Sequence, residues 1–121
     1  MAGGTPRTKQ GAAVVNGVHT DVVCTGFGDS IFVVVTQYQK LGTLVQVVPG
    51  VSADGTSAPT YTTRVLLGKD EPMTHVFARS LGEKICPNND YKPFTLAVAL
   101  KDWSPQVLHA AEELVLQNKV W

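Results

Sequence analysis

Short runs of β-branched and aromatic residues, each cut off by Gly, Pro, Asn or Asp, occupy the chain up to Gly68. Two stretches with helical spacing, separated by one more strand-like run, fill the rest. Ala13, Val14 and Val15 lead into Asn16-Gly17, and Val18 to Phe27 follows as a longer strand. Asn-Gly supplies the two left-handed residues of a type I′ turn, so these two strands are expected to form a hairpin. Phe27-Gly28-Asp29-Ser30 supplies a second turn. Ile31 to Tyr38 is too short and too β-branched for a helix. Gly42 leads into a strand over Thr43 to Val48 that Pro49-Gly50 ends, and three or four strands in an antiparallel meander are expected. Residues 49–59, rich in Gly, Ser and Pro, read as the clearest loop, after which Thr60 to Leu67 returns as a strand.

Lys69-Asp70-Glu71-Pro72 then opens a helix, with its boundary at Asp70 or Glu71 and Pro72 in the first turn, where a missing N–H costs nothing. Met73, Val76, Phe77, Leu81 and Ile85 recur at spacings of three and four and predict its apolar stripe. Pro87-Asn88-Asn89-Asp90 stops it. Phe94, Leu96, Val98 and Leu100 alternate with Thr95, Ala97 and Ala99, so neither face of this strand is charged and it belongs in a sheet interior. Ser104 and Pro105 start a second helix whose apolar side is Val107, Leu108, Ala111, Leu114 and Val115. Trp121 is expected against the sheet edge or a neighbouring subunit. The predicted fold is α/β of the α+β type. It has a largely antiparallel six-stranded sheet and two helices in the C-terminal half, in the order β-β-β-β-β-α-β-α. Residues 1–10, small and polar, are expected to be a flexible tail before a single domain over 11–121.

Both helices can cover one face of such a sheet, and the other face should then be polar. It is not. Ile31, Val33 and Val35 point one way and Phe32, Val34 and Thr36 the other, while Leu44 and Val48 oppose Val45 and Val47. Leaving about four such side chains in water would forfeit roughly 1.5–3 kcal/mol each, comparable with the net stability of a domain. A second sheet from another subunit is therefore expected on the open face, in a homodimer or a heterodimer with a related chain. The alternative is a strongly coiled monomer with its own two-layer interior. Phe32, Val34, Val45 and Val47 are the candidate interface residues. Val51, Asp54 and Thr56 in the loop, with Asp70 and Glu71 at the helix start, are candidate client contacts, although helix initiation already accounts for the last two.

Charge narrows the choice of partner. Ten basic residues balance ten acidic ones, so no positive field favours nucleic acid or an anionic membrane. Charged residues make up only 17 % of the chain, which agrees with surface buried elsewhere. No apolar run reaches the roughly 20 residues of a membrane helix, and no secretory pattern opens the chain; a cytoplasmic or nuclear location is expected. Cys24 and Cys86 lie in apolar surroundings without metal or disulfide spacing, and His19, His75 and His109 are isolated from one another. Gly68-Lys69 lacks the earlier glycine and following hydroxyl of a phosphate loop, and Gly26-Phe27-Gly28 opens no helix. No catalytic, cofactor or metal site is predicted.

Seven segments carry a further signal: Val22-Val23-Cys24-Thr25, Val35-Thr36-Gln37, Gly42-Thr43-Leu44-Val45, Val65-Leu66-Leu67-Gly68-Lys69-Asp70-Glu71-Pro72, His75-Val76-Phe77-Ala78, Leu96-Ala97-Val98-Ala99 and Val120-Trp121. Together they resemble the proteasome assembly chaperone 3 family. The resemblance runs from about Val14 to the last residue and departs mainly before Gly11, at 50–58 and at 83–92. It implies a small α/β protein that forms a homodimer when alone and pairs with proteasome assembly chaperone 4. That pair would bind proteasome α subunits during α-ring formation of the 20S core particle, without a cofactor. A scaffold of a trafficking or signalling complex, and less readily a Cys-His enzyme, are the competing readings.

Overall fold

Asn16 and Gly17 both adopt positive φ, 48° and 77°, and join β1 (Arg7–Val15) to β2 (Val18–Gly26) through the two-residue hairpin the sequence predicts. The computed structural model describes residues 7–38, 40–50 and 59–121. The first strand begins four residues before the expected start at Gly11, because Arg7 to Gln10 pair with Gly26 to Val23. Those four residues are therefore strand and not tail. Their polar side chains misled the sequence reading. An edge strand needs no apolar side chains when its backbone finds ladder partners on one side.

β3 (Ile31–Thr36) continues the antiparallel run from β2, but the meander then breaks. β4 (Thr43–Gly50) pairs with β5 (Thr60–Leu67) and not with β3. β6 (Phe94–Ala99) enters between them, parallel to β3 and antiparallel to β4, giving the order β1-β2-β3-β6-β4-β5. The insertion follows from β6's composition. A strand without a charged side chain on either face has its lowest cost at the sheet centre, where both of its edges are paired. Pro49, which cannot donate to a ladder, falls just beyond the last β4–β6 pair at Val47 and Phe94.

The helices α1 (Pro72–Ile85) and α2 (Pro105–Gln117) cover one face. Glu71 is the residue before α1, extended at φ −119° and ψ 139° as a pre-proline residue should be, and its carbonyl accepts from Thr74 N at 3.1 Å. Ser104 and Pro105 start α2 as expected. The buried side of α1 is rotated from the predicted stripe. Thr74, Phe77, Ala78, Leu81, Gly82 and Ile85 are buried, while Met73 and Val76 face outward. Gly82 sets that rotation, since a Cβ there would lie 3.0 Å from the Tyr61 ring and 3.2 Å from Val47 Cγ1. The smallest residue of the helix thus faces the Tyr61 ring and Val47 at a spacing that a larger side chain would not fit. Lys84 and the buried Glu112 pair across the two helices. Trp121 packs on the chain's own core, beside Val120, which lies against Gly26 at the end of β2.

The core between helices and sheet is made by Val22, Cys24, Val33, Val35, Val45, Val47 and Leu96 below, and Phe77, Leu81, Ile85, Ala111 and Val115 above, all fully buried. Gly42, at φ 70°, is placed so that a Cβ would collide with the Val98 carbonyl oxygen and lie 2.6 Å from Ala99 Cβ. Gly17 has the same sign of φ with open space around it. Gly17→Ala should therefore cost only local strain, about 1 kcal/mol, and Gly42→Ala at least about twice that in urea unfolding. Equal losses would show that close packing at Gly42 is not what holds β4 on β6.

Candidate functional site

No helix covers the other face of the sheet. The register places Gln10, Val23, Val34, Ala97 and Leu44 in one row across five strands, and Thr8, Thr25, Phe32, Thr95, Gln46 and Arg64 in the next. β3 shows the two-sidedness directly. Ile31, Val33 and Val35 are buried under the helices, whereas Phe32 and Val34 between them are half-buried with no layer above. At the β4–β5 end, Val48, Leu66 and Leu67 add exposed apolar area, 41 %, 49 % and 65 % respectively. A bulge between Leu44 and Val45 leaves Leu66 unpaired, so that both leucines stand at the edge.

Over β1, β2 and β3 the face is concave. A trough of about 670 Å³ is lined by Gln10, Ala12, Asp21, Val23, Val34 and Leu41, with Thr36 and Lys40 at its end. Thr36 is nevertheless nearly buried, because the turn after β3 folds back on it and Tyr38 N and Lys40 N donate to Thr36 Oγ1 at 3.1 and 3.3 Å. Asp21 and Lys40 are the trough's two charged lining residues. An apolar floor with charge at its margin is the composition of a protein-binding patch.

Two of the four residues expected at the interface, Phe32 and Val34, lie on this face. Val45 and Val47 do not. They are fully buried beneath α1, paired with Leu96 and Phe94 of β6, and belong to the core. The phase of β4 is thus the reverse of the expectation, and Leu44, Gln46 and Val48 take the open face. Gln46 carried the missed signal, since the one polar residue within the apolar run from Leu44 to Val48 marks the side away from the helices. Val23, Ala97, Leu41, Leu66 and Leu67 were also missed. Val23 lies opposite Val34 in the β2–β3 pair that a meander already implies, whereas Ala97 joins the row only because β6 sits beside β3.

The candidate client contacts are not gathered into this site. Val51, Asp54 and Thr56 lie outside the described residues. Asp70 and Glu71 are at the α1 start, where Glu71 pairs with Lys69 at 3.2 Å. Asp70 Oδ1 meets His75 Nε2 at 2.6 Å, and His75 Nδ1 meets Thr63 Oγ1 at 2.5 Å. This chain of two hydrogen bonds fastens the first turn of α1 to the edge strand β5.

Among the described residues no group of three or more His, Cys, Asp or Glu could hold a metal ion, and no helix is long and apolar enough to cross a membrane. Both cysteines are buried and free. Burial pushes the Cys24 thiol up to about 12 and the Cys86 thiol up to about 11, so neither supplies a thiolate near neutral pH.

Residues 33–118 match the family model described as proteasome assembly chaperone 3. Human proteasome assembly chaperone 3 is 46 % identical over 114 residues, covering 94 % of this chain and 93 % of the human one. The Nematostella vectensis protein of the same name is 40 % identical over 113 residues, covering 88 % and 84 %. A chain in a crystal structure of a chaperone complex for yeast 20S proteasome assembly superposes with a TM-score of 0.73 over 94 % of this chain and 98 % of its own. At 12 % identity that likeness concerns the fold.

The open face and the core predict opposite outcomes for the same substitution. Val34→Asp should leave the fold intact and yield a monomer in sedimentation analysis, since its carboxylate can be solvated once the partner is gone. Val47→Asp should lose several kcal/mol of stability, because its charge has no water and no partner. A folded Val47→Asp monomer would reverse the assignment of the two faces.

Proposed function

The chain belongs to the proteasome assembly chaperone 3 family, and from that membership we propose that it promotes 20S core-particle assembly by binding alone, at the stage of α-ring formation. The observation that supports this reading is the apolar sheet face left without a layer of its own. In this reading the face pairs with a second sheet, either another copy of the chain or proteasome assembly chaperone 4. The paired molecule then holds proteasome α subunits until the ring closes, and it works where those subunits assemble, in the cytoplasm and nucleus.

A chaperone of this kind makes and breaks no bond, so its chemistry is that of surfaces. It must bind tightly enough to order its clients and loosely enough to leave. Interfaces of similar area span micromolar to picomolar affinity according to the quality of a few central contacts, so release is set by those contacts and not by patch size. The raised thiol pKa values weigh against the competing Cys-His enzyme, whose nucleophile would have to ionise near neutrality.

Affinity capture with the tagged chain should recover α subunits without the mature core particle. Recovery of intact core particles, or of no α subunit, would contradict the proposal. Cys24 and Cys86 should react with alkylating reagents much more slowly than a model thiol at pH 7–8. Because folding raises both thiol pKa values above the ordinary 9.0, the stability tied to them is complete below pH 9 and is lost as pH rises towards about 11 and about 12. Urea unfolding between pH 7 and 11 reads that decline, and a flat profile would contradict buried, neutral thiols.

A further inference from the structure

At the end of the sheet where β3 stops, one tyrosine carries two lysines. Lys40 Nζ lies 5.2 Å from the centroid of the Tyr38 ring and Lys101 Nζ lies 5.1 Å from it. Both ammonium groups are therefore held near one exposed ring, no farther apart than those two distances combined. The carboxylates close by are already engaged. Glu71 pairs with Lys69 at 3.2 Å, Asp102 accepts from Ser104 N at 2.9 Å, and Asp21 meets His19 Nε2 at 2.9 Å. Among the described residues, Lys40 and Lys101 have no carboxylate within ion-pair distance, and two like charges remain side by side in a chain whose total charge balances to zero.

We infer that this corner of the molecule is a docking site for an acidic protein segment, one of whose carboxylates lies between Lys40 and Lys101 over the edge of Tyr38. The inference rests on the reading of the chain as a protein-binding chaperone and adds the chemistry of what it grips. A cleft of about 340 Å³ adjoins the pair, lined by Tyr38, Lys40, Met73, Trp103 and Leu100 among others. Its wall is rigid, since Trp103 meets Phe77 edge to face at 6.4 Å and packs on the core. A bulky apolar residue next to the acidic one would fill that cleft.

Charge complementarity selects an acidic peptide over a neutral one. A nucleic acid is disfavoured, because it needs a run of cations along its backbone and two lysines do not make one. Lys40 also lines the open-face trough, so a segment gripped here continues onto the surface already assigned to protein binding. The site is thus a corner contact at the margin of the proposed dimer face.

The test is fluorescence anisotropy with labelled Glu-Gly-Glu-Phe-Glu-Gly-Glu, its Gln counterpart and a seven-nucleotide oligo-dT, each titrated with the full chain at low salt. The acidic peptide should bind at least about tenfold more tightly than the Gln peptide, and the preference should shrink as salt is raised. It should disappear in the Lys40→Glu, Lys101→Glu double variant, whose two positions are exposed and whose fold is checked by circular dichroism. Equal affinity for the two peptides, or an unchanged preference in the double variant, overturns the inference. Oligo-dT binding as tight as the acidic peptide overturns its assignment to protein. α-Subunit capture keeps the two readings apart. Wild type and double variant capturing equally would refute the corner contact and leave the proposed function standing, whereas failure of the wild type would refute the function while the peptide titration still decides the corner.

Discussion

A strand that is apolar on both faces cannot be satisfied by one layer of helices, and the architecture follows from that constraint. β6 sits at the sheet centre with Leu96 and Val98 under the helices and Ala97 and Ala99 on the opposite side. Its neighbour β3 has the same character, with Val33 and Val35 sealed and Phe32 and Val34 open. Two helices cover one side of these strands. Among its described residues the chain supplies no second layer for the other. The small Ala97 and Ala99 are buried by their neighbours, whereas Phe32 and Val34 stay half-exposed, and their burial is available from a partner.

That division of labour also explains where rigidity and adaptability lie. The helix side is close-packed, to the point that a Cβ at Gly82 would lie 3.0 Å from the Tyr61 ring and 3.2 Å from Val47 Cγ1. The open side ends in a trough, a bulge and exposed leucines, which can be covered by surfaces of different detailed shape. A stiff platform bearing an adaptable apolar face suits a protein that must bind, wait and release. Charged residues stay at the margin, around Asp21, Lys40 and Lys101, where they bias orientation more than they add affinity.

Much of this was legible in the order of residues. Asn16-Gly17 specified its turn, Pro72 and Pro105 specified the helix starts, and the uncharged alternation at 94–100 specified a central strand. The two-faced character of 31–36 was legible too. What escaped was long-range pairing. Nothing local tells β3 that its partner lies more than sixty residues downstream, and with the neighbours of β6 unspecified the phase of β4 was read from composition. Val45 and Val47 were read outward for that reason, although Gln46 marked the solvent side. The start of β1 escaped because Arg7 to Gln10 are held by backbone bonds to β2, to which their side chains bear no witness. On the helix, Met73 and Val76 satisfied the spacing but yielded to Ala78 and Gly82, since α1 turns its smallest residues towards the sheet.

Association should bury the open face that the chain alone leaves uncovered. Methyl NMR with a soluble paramagnetic agent, recorded on the dilute chain and again with proteasome assembly chaperone 4 added, reads this residue by residue. Val23, Val34 and Leu44 should be strongly relaxed in the dilute chain and become protected in the complex, while Val45 and Val47 stay protected in both. Equal relaxation of Val23, Val34 and Leu44 in the two states would contradict the account, because it would mean that the apolar face is not where the chain meets its partner.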